Sequence, residues 1–182
     1  MKPKLLFHVC CAPCSGFLAS ELLKDFALTV YYDNSNIWPE SEFLKRAKEA
    51  AEFFNQENIK FILADWQHEQ WRVKVQGLEQ EPERGKRCFL CYQYRLEKTA
   101  RFAKSNGFEY FATSLIISPH KDAKIIIDLG RELARKYGLQ FLAEDFKKND
   151  GCQKANAFSR AKNFYRQNYC GCEYSMAERE KK

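Results

Sequence analysis

The chain has 182 residues, of which 45% are hydrophobic, 30% charged and 15% aromatic, and its formal net charge is +6. That composition excludes a disordered chain and supplies enough apolar surface for one core. No apolar run approaches the length that crosses a bilayer, and Leu5-Leu6-Phe7 behind a basic start is too short for a secretory signal, so a cytoplasmic protein is expected.

Strand-like and helix-like runs alternate along the chain. Residues 5–9 read as a short buried strand and 16–26 carry a helical pattern. Residues 28–32 are β-branched and aromatic, which predicts a second strand. Pro39 opens a helix to about Asn58, with Phe43, Ala47, Ala50, Ala51 and Phe54 on one face. A third strand is expected at 61–64, whereas 66–86, rich in Gln, Glu and Trp, take no assignment. Tyr92, Leu96, Ala100 and Ala103 share one side of a helix over 92–105, and Gly107 stops it. A fourth strand follows at 110–116. Ser118 and Pro119 offer an N-cap and a first-turn proline to a helix that ends at Gly138. A fifth strand is predicted at 140–143, and the tail from Ala155 is helical and basic. The pattern predicts an α/β fold with a mostly parallel sheet, as a single domain over 1–182 with a basic C-terminal helical segment. In such sheets ligands sit at the carboxyl ends of the strands.

Eight cysteines stand out: Cys10, Cys11, Cys14, Cys88, Cys91, Cys152, Cys170 and Cys172. With no export signal, clustered thiols point to metal binding or redox work rather than a disulfide framework. Cys10, Cys11 and Cys14 occupy a predicted strand-to-helix turn, where free N–H groups and the helix dipole favour thiolates. Cys88-Phe89-Leu90-Cys91 is a C-x-x-C pair near a predicted helix start, suited to a metal or a redox disulfide. In Cys170-Gly171-Cys172 the glycine lets the backbone bend so that sulfurs turn inward. A zinc site needs four ligands and an iron–sulfur cluster three or four. Seven clustered thiols exceed one centre, and the surplus suits a second metal or a redox pair. Cys152 stands apart as a bystander.

Asp33 ends the second predicted strand, beside the first cysteine turn if strands one and two are neighbours. It is a candidate hard ligand or proton donor, against the plainer reading of a turn residue. His120, after the fourth strand, faces the same edge as a second acid–base candidate. His8 is expected as a hydrogen-bonded core residue or a functional one, and His68 on the surface. Residues 84–104 carry a net +6 and 147–169 a net +5, so positive charge concentrates beside the cysteines. Phe89, Tyr92, Tyr94, Phe158, Phe164, Tyr165 and Tyr169 interleave with it, which suits an unstacked RNA. Neither a Walker A motif nor G-x-G-x-x-G is present.

Five stretches together resemble the QueH family of epoxyqueuosine reductases. They are residues 6–14, residues 36–39 with Glu42 and Arg46, residues 87–92 with Arg95 and Leu96, residues 113–121, and residues 165–172. They span nearly the whole chain in order. Ser35 stands where the family usually has a proline. The resemblance implies a cobalamin-independent oxidoreductase that removes the epoxide oxygen of epoxyqueuosine in tRNA, consuming two electrons and two protons. It implies a [4Fe–4S] cluster and a neighbouring iron, held among Cys10, Cys11, Cys14, Cys88, Cys91, Cys170 and Cys172, with an external electron donor and no membrane partner. The implied fold is Rossmann-like, similar to that of PP-loop tRNA-modifying enzymes, with the cysteine turn where their phosphate loop would be. Three other readings stay open: an ATP-dependent tRNA thiolase of PP-loop type, a zinc protein that binds RNA, and a thiol–disulfide oxidoreductase using Cys88 and Cys91.

Overall fold

Five parallel strands form the sheet: β1 (Lys4–His8), β2 (Ala27–Tyr32), β3 (Lys60–Leu63), β4 (Tyr110–Thr113) and β5 (Gln140–Phe141). Their order is β3-β2-β1-β4-β5. The computed structural model describes residues 1–148 and 150–180. Among the described residues seven α-helices accompany the sheet: α1 (Ala12–Leu22), α2 (Glu40–Gln56), α3 (His68–Val75), α4 (Lys86–Ser105), α5 (Ala123–Tyr137), α6 (Gly151–Ala161) and α7 (Glu173–Glu180). The chain builds outward from β1 through β2 to β3, then returns to β1's other side with β4. The carboxyl ends of β1 and β4 therefore flank the topological switch point.

Alternation along β1 divides the core. Leu5, Phe7 and Val9 pack with Leu18 and Ala19 of α1, Phe43 and Ala50 of α2 and Ala155 of α6. Leu6 packs on the opposite face with Tyr92, Leu96 and Ala100 of α4 and Ile126 and Leu129 of α5. Helices thus cover both faces, which is why β1 reads as an unbroken apolar run.

Element boundaries differ from the sequence expectation where local hydrogen bonds intervene. Helix α1 begins at Ala12, four residues early, with Pro13 in its first turn and Cys11 as an extended N-cap. Cys14 consequently lies in the first turn. β4 stops at Thr113, because the Thr113 hydroxyl accepts from the Leu115 N–H and turns the chain into a 3₁₀ turn, Ser114–Ile117. Helix α5 starts at Ala123 rather than at Pro119. The Asp122 carboxylate caps the Lys124 and Ile125 N–H groups, while Ser118 Oγ accepts from His120 N–H. Gly138, at φ 62°, ends that helix as expected. Helix α4 begins at Lys86, placing Cys88 and Cys91 in its first two turns. The tail is two helices joined by an irregular stretch, and that stretch carries Cys170 and Cys172. Among the described residues no helix is long and apolar enough to cross a membrane.

Candidate metal centre

The first thiol group sits on the switch point. The Sγ atoms of Cys10, Cys11 and Cys14 lie within 4.8 Å of one another, and those of Cys10 and Cys11 are 3.6 Å apart. The turn is pinned from both sides. Cys10 N–H donates to Ser114 Oγ (3.3 Å), which donates back to Cys10 Sγ (3.7 Å), and Gln167 Nε2 donates to Cys11 Sγ (3.3 Å). Cys11, the N-cap of α1, makes no side-chain cap, so the first N–H groups of the helix have no side-chain acceptor from it. Hydrogen bonds from Cys11 and Cys14 hold the Cys10 thiol well below the ordinary thiol range, with Lys121 and Arg95 adding to the effect. The same bond to Cys10 pushes Cys11 up to about 12.

The second group gathers distant segments. Cys88, Cys91 and Cys172 are buried and Cys170 is half-buried, and Cys91 and Cys172 pack with Trp71 and Val75. Burial pushes Cys88, Cys91 and Cys172 up to about 11 each, with Cys170 adding to the rise in every case. Main-chain N–H groups of Arg84 and Ser175 donate to Cys88 Sγ (3.2 Å) and Cys172 Sγ (3.4 Å).

A clasp brings Cys170 and Cys172 to this place. Trp38 N–H donates to the Gly171 carbonyl (2.8 Å) and Tyr169 Oη to the Trp38 carbonyl (2.6 Å). Arg46, buried and paired with Glu42 at 2.7 Å, reaches the Cys170 carbonyl (3.4 Å). Gly171 has φ 130° and packs against Arg46 and Ile37, so a side chain there meets both strain and a neighbour. Buried Arg87 ties α4 to Glu178 of α7 at 3.0 Å. His68, expected on the surface, is 3% exposed. It stacks against Trp38, Trp66 and Trp71 and joins the Ser35 carbonyl (2.8 Å) to Glu173 (3.3 Å). The unassigned stretch 66–86 hides this role because its helix α3 is only eight residues long and mostly polar.

A cavity of 540 Å³ touches both thiol groups. Cys10, Cys14 and Cys170 line it, together with Arg95, Lys121, His120, Gln167 and Cys152. Cys152 is thus on the wall rather than apart, with its thiol on the Ile117 carbonyl at 3.1 Å. His120 is exposed on the cavity wall, and Arg84 holds its carbonyl. Asp33 is fully buried, and its carboxylate is taken up by Lys98 (2.9 Å), Tyr31 (3.1 Å) and Ser35 (3.4 Å), away from the cavity lining. His8 bridges Thr113 Oγ1 (2.8 Å) and the Asp33 carbonyl (3.2 Å). Burial, aided by the Arg95 charge, pushes its pKa down to about 3, so it is neutral.

Two cations missed by sequence reasoning complete the wall. Arg95 is 2% exposed, and burial opposes its charge, but the Cys91, Cys10 and Cys170 sulfurs outweigh that and keep it charged. Burial likewise opposes the Lys121 ammonium, and Cys170 and Cys10 hold its pKa above the ordinary lysine value. Among the described residues no carboxylate lies within ion-pair distance of either. Two buried donors, Arg95 Nε and Trp71 Nε1, have no hydrogen-bond partner, yet both side chains favour the Cys91 thiolate. Orphaned donors and unpaired cations facing soft sulfur fit an anionic metal–thiolate centre.

A parallel α/β fold with three thiols close enough to hold one metal ion, on a cation-walled cavity at its switch point, has the architecture and donor set of a metal-site protein. The sequence matches the family described as "Epoxyqueuosine reductase QueH" over residues 5–178, and the chain belongs to that family of oxidoreductases. A relative of that name from Streptococcus pyogenes serotype M1 is 42% identical over 181 residues, covering 96% of this chain and 71% of the relative. One from Thermotoga maritima is 33% identical and covers 98% and 93%. Among solved structures, one described as "predicted subunit of tRNA methyltransferase" from Methanocaldococcus jannaschii matches at a TM-score of 0.57. At 14% identity over 83% of this chain and 74% of that one, the likeness concerns the fold alone.

Proposed function

We propose that the chain reduces epoxyqueuosine in tRNA to queuosine and water, consuming two electrons from an external donor and two protons. The observation that carries this reading is the close trio Cys10, Cys11 and Cys14 beside a cavity that Cys10 and Cys14 line together with Cys170 of the second thiol group. Four-coordinate metal–sulfur bonds of about 2.3 Å place ligand sulfurs about 3.8 Å apart, so the close trio Cys10, Cys11 and Cys14 suits a single iron. Cys88, Cys91, Cys170 and Cys172 supply the four thiolates a [4Fe–4S] cluster takes. When bound, these groups would supply single electrons and Lewis acidity toward the epoxide oxygen.

The chain's own residues do the rest. Arg95 and Lys121 offset the negative charge of the thiolates and keep the cavity positive. Trp71 and Leu90 pack over the second thiol group and exclude water from it. His120, exposed on the wall, is the candidate that delivers a proton to the departing oxygen. Asp33 acts through position. Its carbonyl fixes the His8 ring, and its carboxylate anchors Lys98 of α4 to β2.

The test is anaerobic purification followed by iron, sulfide and zinc analysis, then incubation of the reduced protein with epoxyqueuosine-containing tRNA. Nucleoside analysis should show queuosine, with about four sulfides per chain and more iron than sulfide. Zinc alone with no visible band, or no queuosine from the iron-loaded protein, overturns the proposal.

A further inference from the structure

We infer that Arg166 and Arg179 clamp the phosphodiesters flanking the nucleotide that enters the cavity, so that the modified base enters alone while the RNA chain stays at the rim. The inference rests on the tRNA substrate proposed above and adds the residues that position it.

A cavity of 540 Å³ is the size of one small-molecule ligand. It takes a single nucleoside and not a loop. A base must therefore be extruded, and its two phosphates remain outside. Arg166 and Arg179 are both exposed and both line this cavity. Each is oriented by a neutral acceptor. Arg166 Nη2 donates to Asn156 Oδ1 at 2.8 Å, and Arg179 Nη1 donates to the Asn168 carbonyl, two residues from Arg166. Among the described residues neither has a carboxylate within ion-pair distance. Arg46, Arg72, Arg87 and Arg101, by contrast, all pair with glutamates. A guanidinium has five N–H donors in a fixed fork, so one tether leaves the others available to a ligand at the cavity rim. Among the described residues the wall carries a single carboxylate, Glu83, against Arg95, Lys121, Arg166 and Arg179. Fixed, uncompensated guanidinium groups beside a nucleoside-sized hole are the arrangement that phosphodiester anchoring requires.

The experiment measures binding of a fluorescent anticodon stem-loop RNA to the iron-loaded protein across a salt series. Arg166→Ala and Arg179→Ala are each compared with wild type. Each alanine should lower the slope of log K against log salt by about 0.7–0.9, the value of one lost phosphate contact. Lysine at either position should restore the slope by returning the charge. With tRNA substrate, KM should rise several-fold more than kcat falls, at unchanged iron content. Slopes and affinities equal to wild type in both alanine variants overturn the clamp. The binding readout needs no turnover. A reduced slope without any epoxide reduction by wild type therefore leaves the clamp standing and removes the reductase reading.

Discussion

The two thiol groups reach the same cavity by different physics. Cys10, Cys11 and Cys14 are neighbours in sequence, set by one turn between β1 and α1, and the sheet beneath that turn is buried on both faces. Cys91 and Cys170 are more than seventy residues apart, and their meeting depends on side chains from α2, α3 and α7. A local turn fixes few degrees of freedom, whereas a long closure must be held by tertiary contacts against chain entropy. The first group is therefore pre-formed by the fold, and the second depends on the clasp and on the metal proposed for it.

The largest expected effect comes from the ligands themselves. Cys91→Ser should lose nearly all inorganic sulfide and the visible band, with epoxide reduction falling to background. Cys14→Ser should lose about one iron per chain and keep the sulfide, because the four-thiol group is untouched. Iron and sulfide analysis checks both, and wild-type values in Cys91→Ser would sink the partition of ligands.

Chelation comes next. Metal binding energy is folding energy where the site does not pre-exist. Stripping the iron should expose the segment around Lys162 and Arg166 to trypsin, while β1 and β4 keep their hydrogen-exchange protection. Equal cleavage with and without metal would mean that the clasp holds without it.

Glu42→Gln probes the clasp at a lower energy. It leaves the Arg46 guanidinium buried without its carboxylate, a loss of about 3 kcal/mol. The four-thiol group should then release its iron faster, since Arg46 also holds the Cys170 carbonyl. Cys10, Cys11 and Cys14 should be unaffected, as none of their hydrogen bonds involves α2. Denaturation midpoints and iron release rates check the two halves of this expectation.

The same contrast explains what the sequence disclosed. Strand–helix alternation and the cysteine turn are local patterns, so the parallel fold and the position of Cys10, Cys11 and Cys14 were legible. The charged wall was not. Arg95 and Lys121 fall within the stretches that carry the family resemblance, yet nothing local assigns them a role, and only tertiary packing brings them to the sulfurs. His68 was misplaced for a related reason, because its burial is created by Trp38 and Trp66 from other segments. Asp33 was correctly set at the end of β2, but the Lys98 partner that occupies its carboxylate comes from α4, 65 residues on.

The smallest effect sharpens the comparison by leaving both groups alone. Glu97 lies on α4 nearly two turns beyond Cys91 and accepts from Lys136 (2.6 Å) and Tyr137 (3.0 Å) of α5. The Lys136 hydrogen bond, with that of Tyr137, holds its carboxyl below the ordinary glutamate range. A carboxyl depressed in the folded state stabilises above its unfolded pKa, and that contribution fades as pH falls through the folded value. Lys136 is exposed and Glu97 only half-buried, so water screens the pair and Glu97→Gln should cost about 0.5 kcal/mol at pH 7, a Tm decrease of about 1–2 °C. The gap between variant and wild type should close on acidification, and iron content at pH 7 should be unchanged. A gap that persists once the carboxyl is protonated would show that Glu97 acts through packing. Loss of iron in this variant would show that the thiol groups depend on the α4–α5 contact, and that the four-thiol group is held by more of the fold than its clasp.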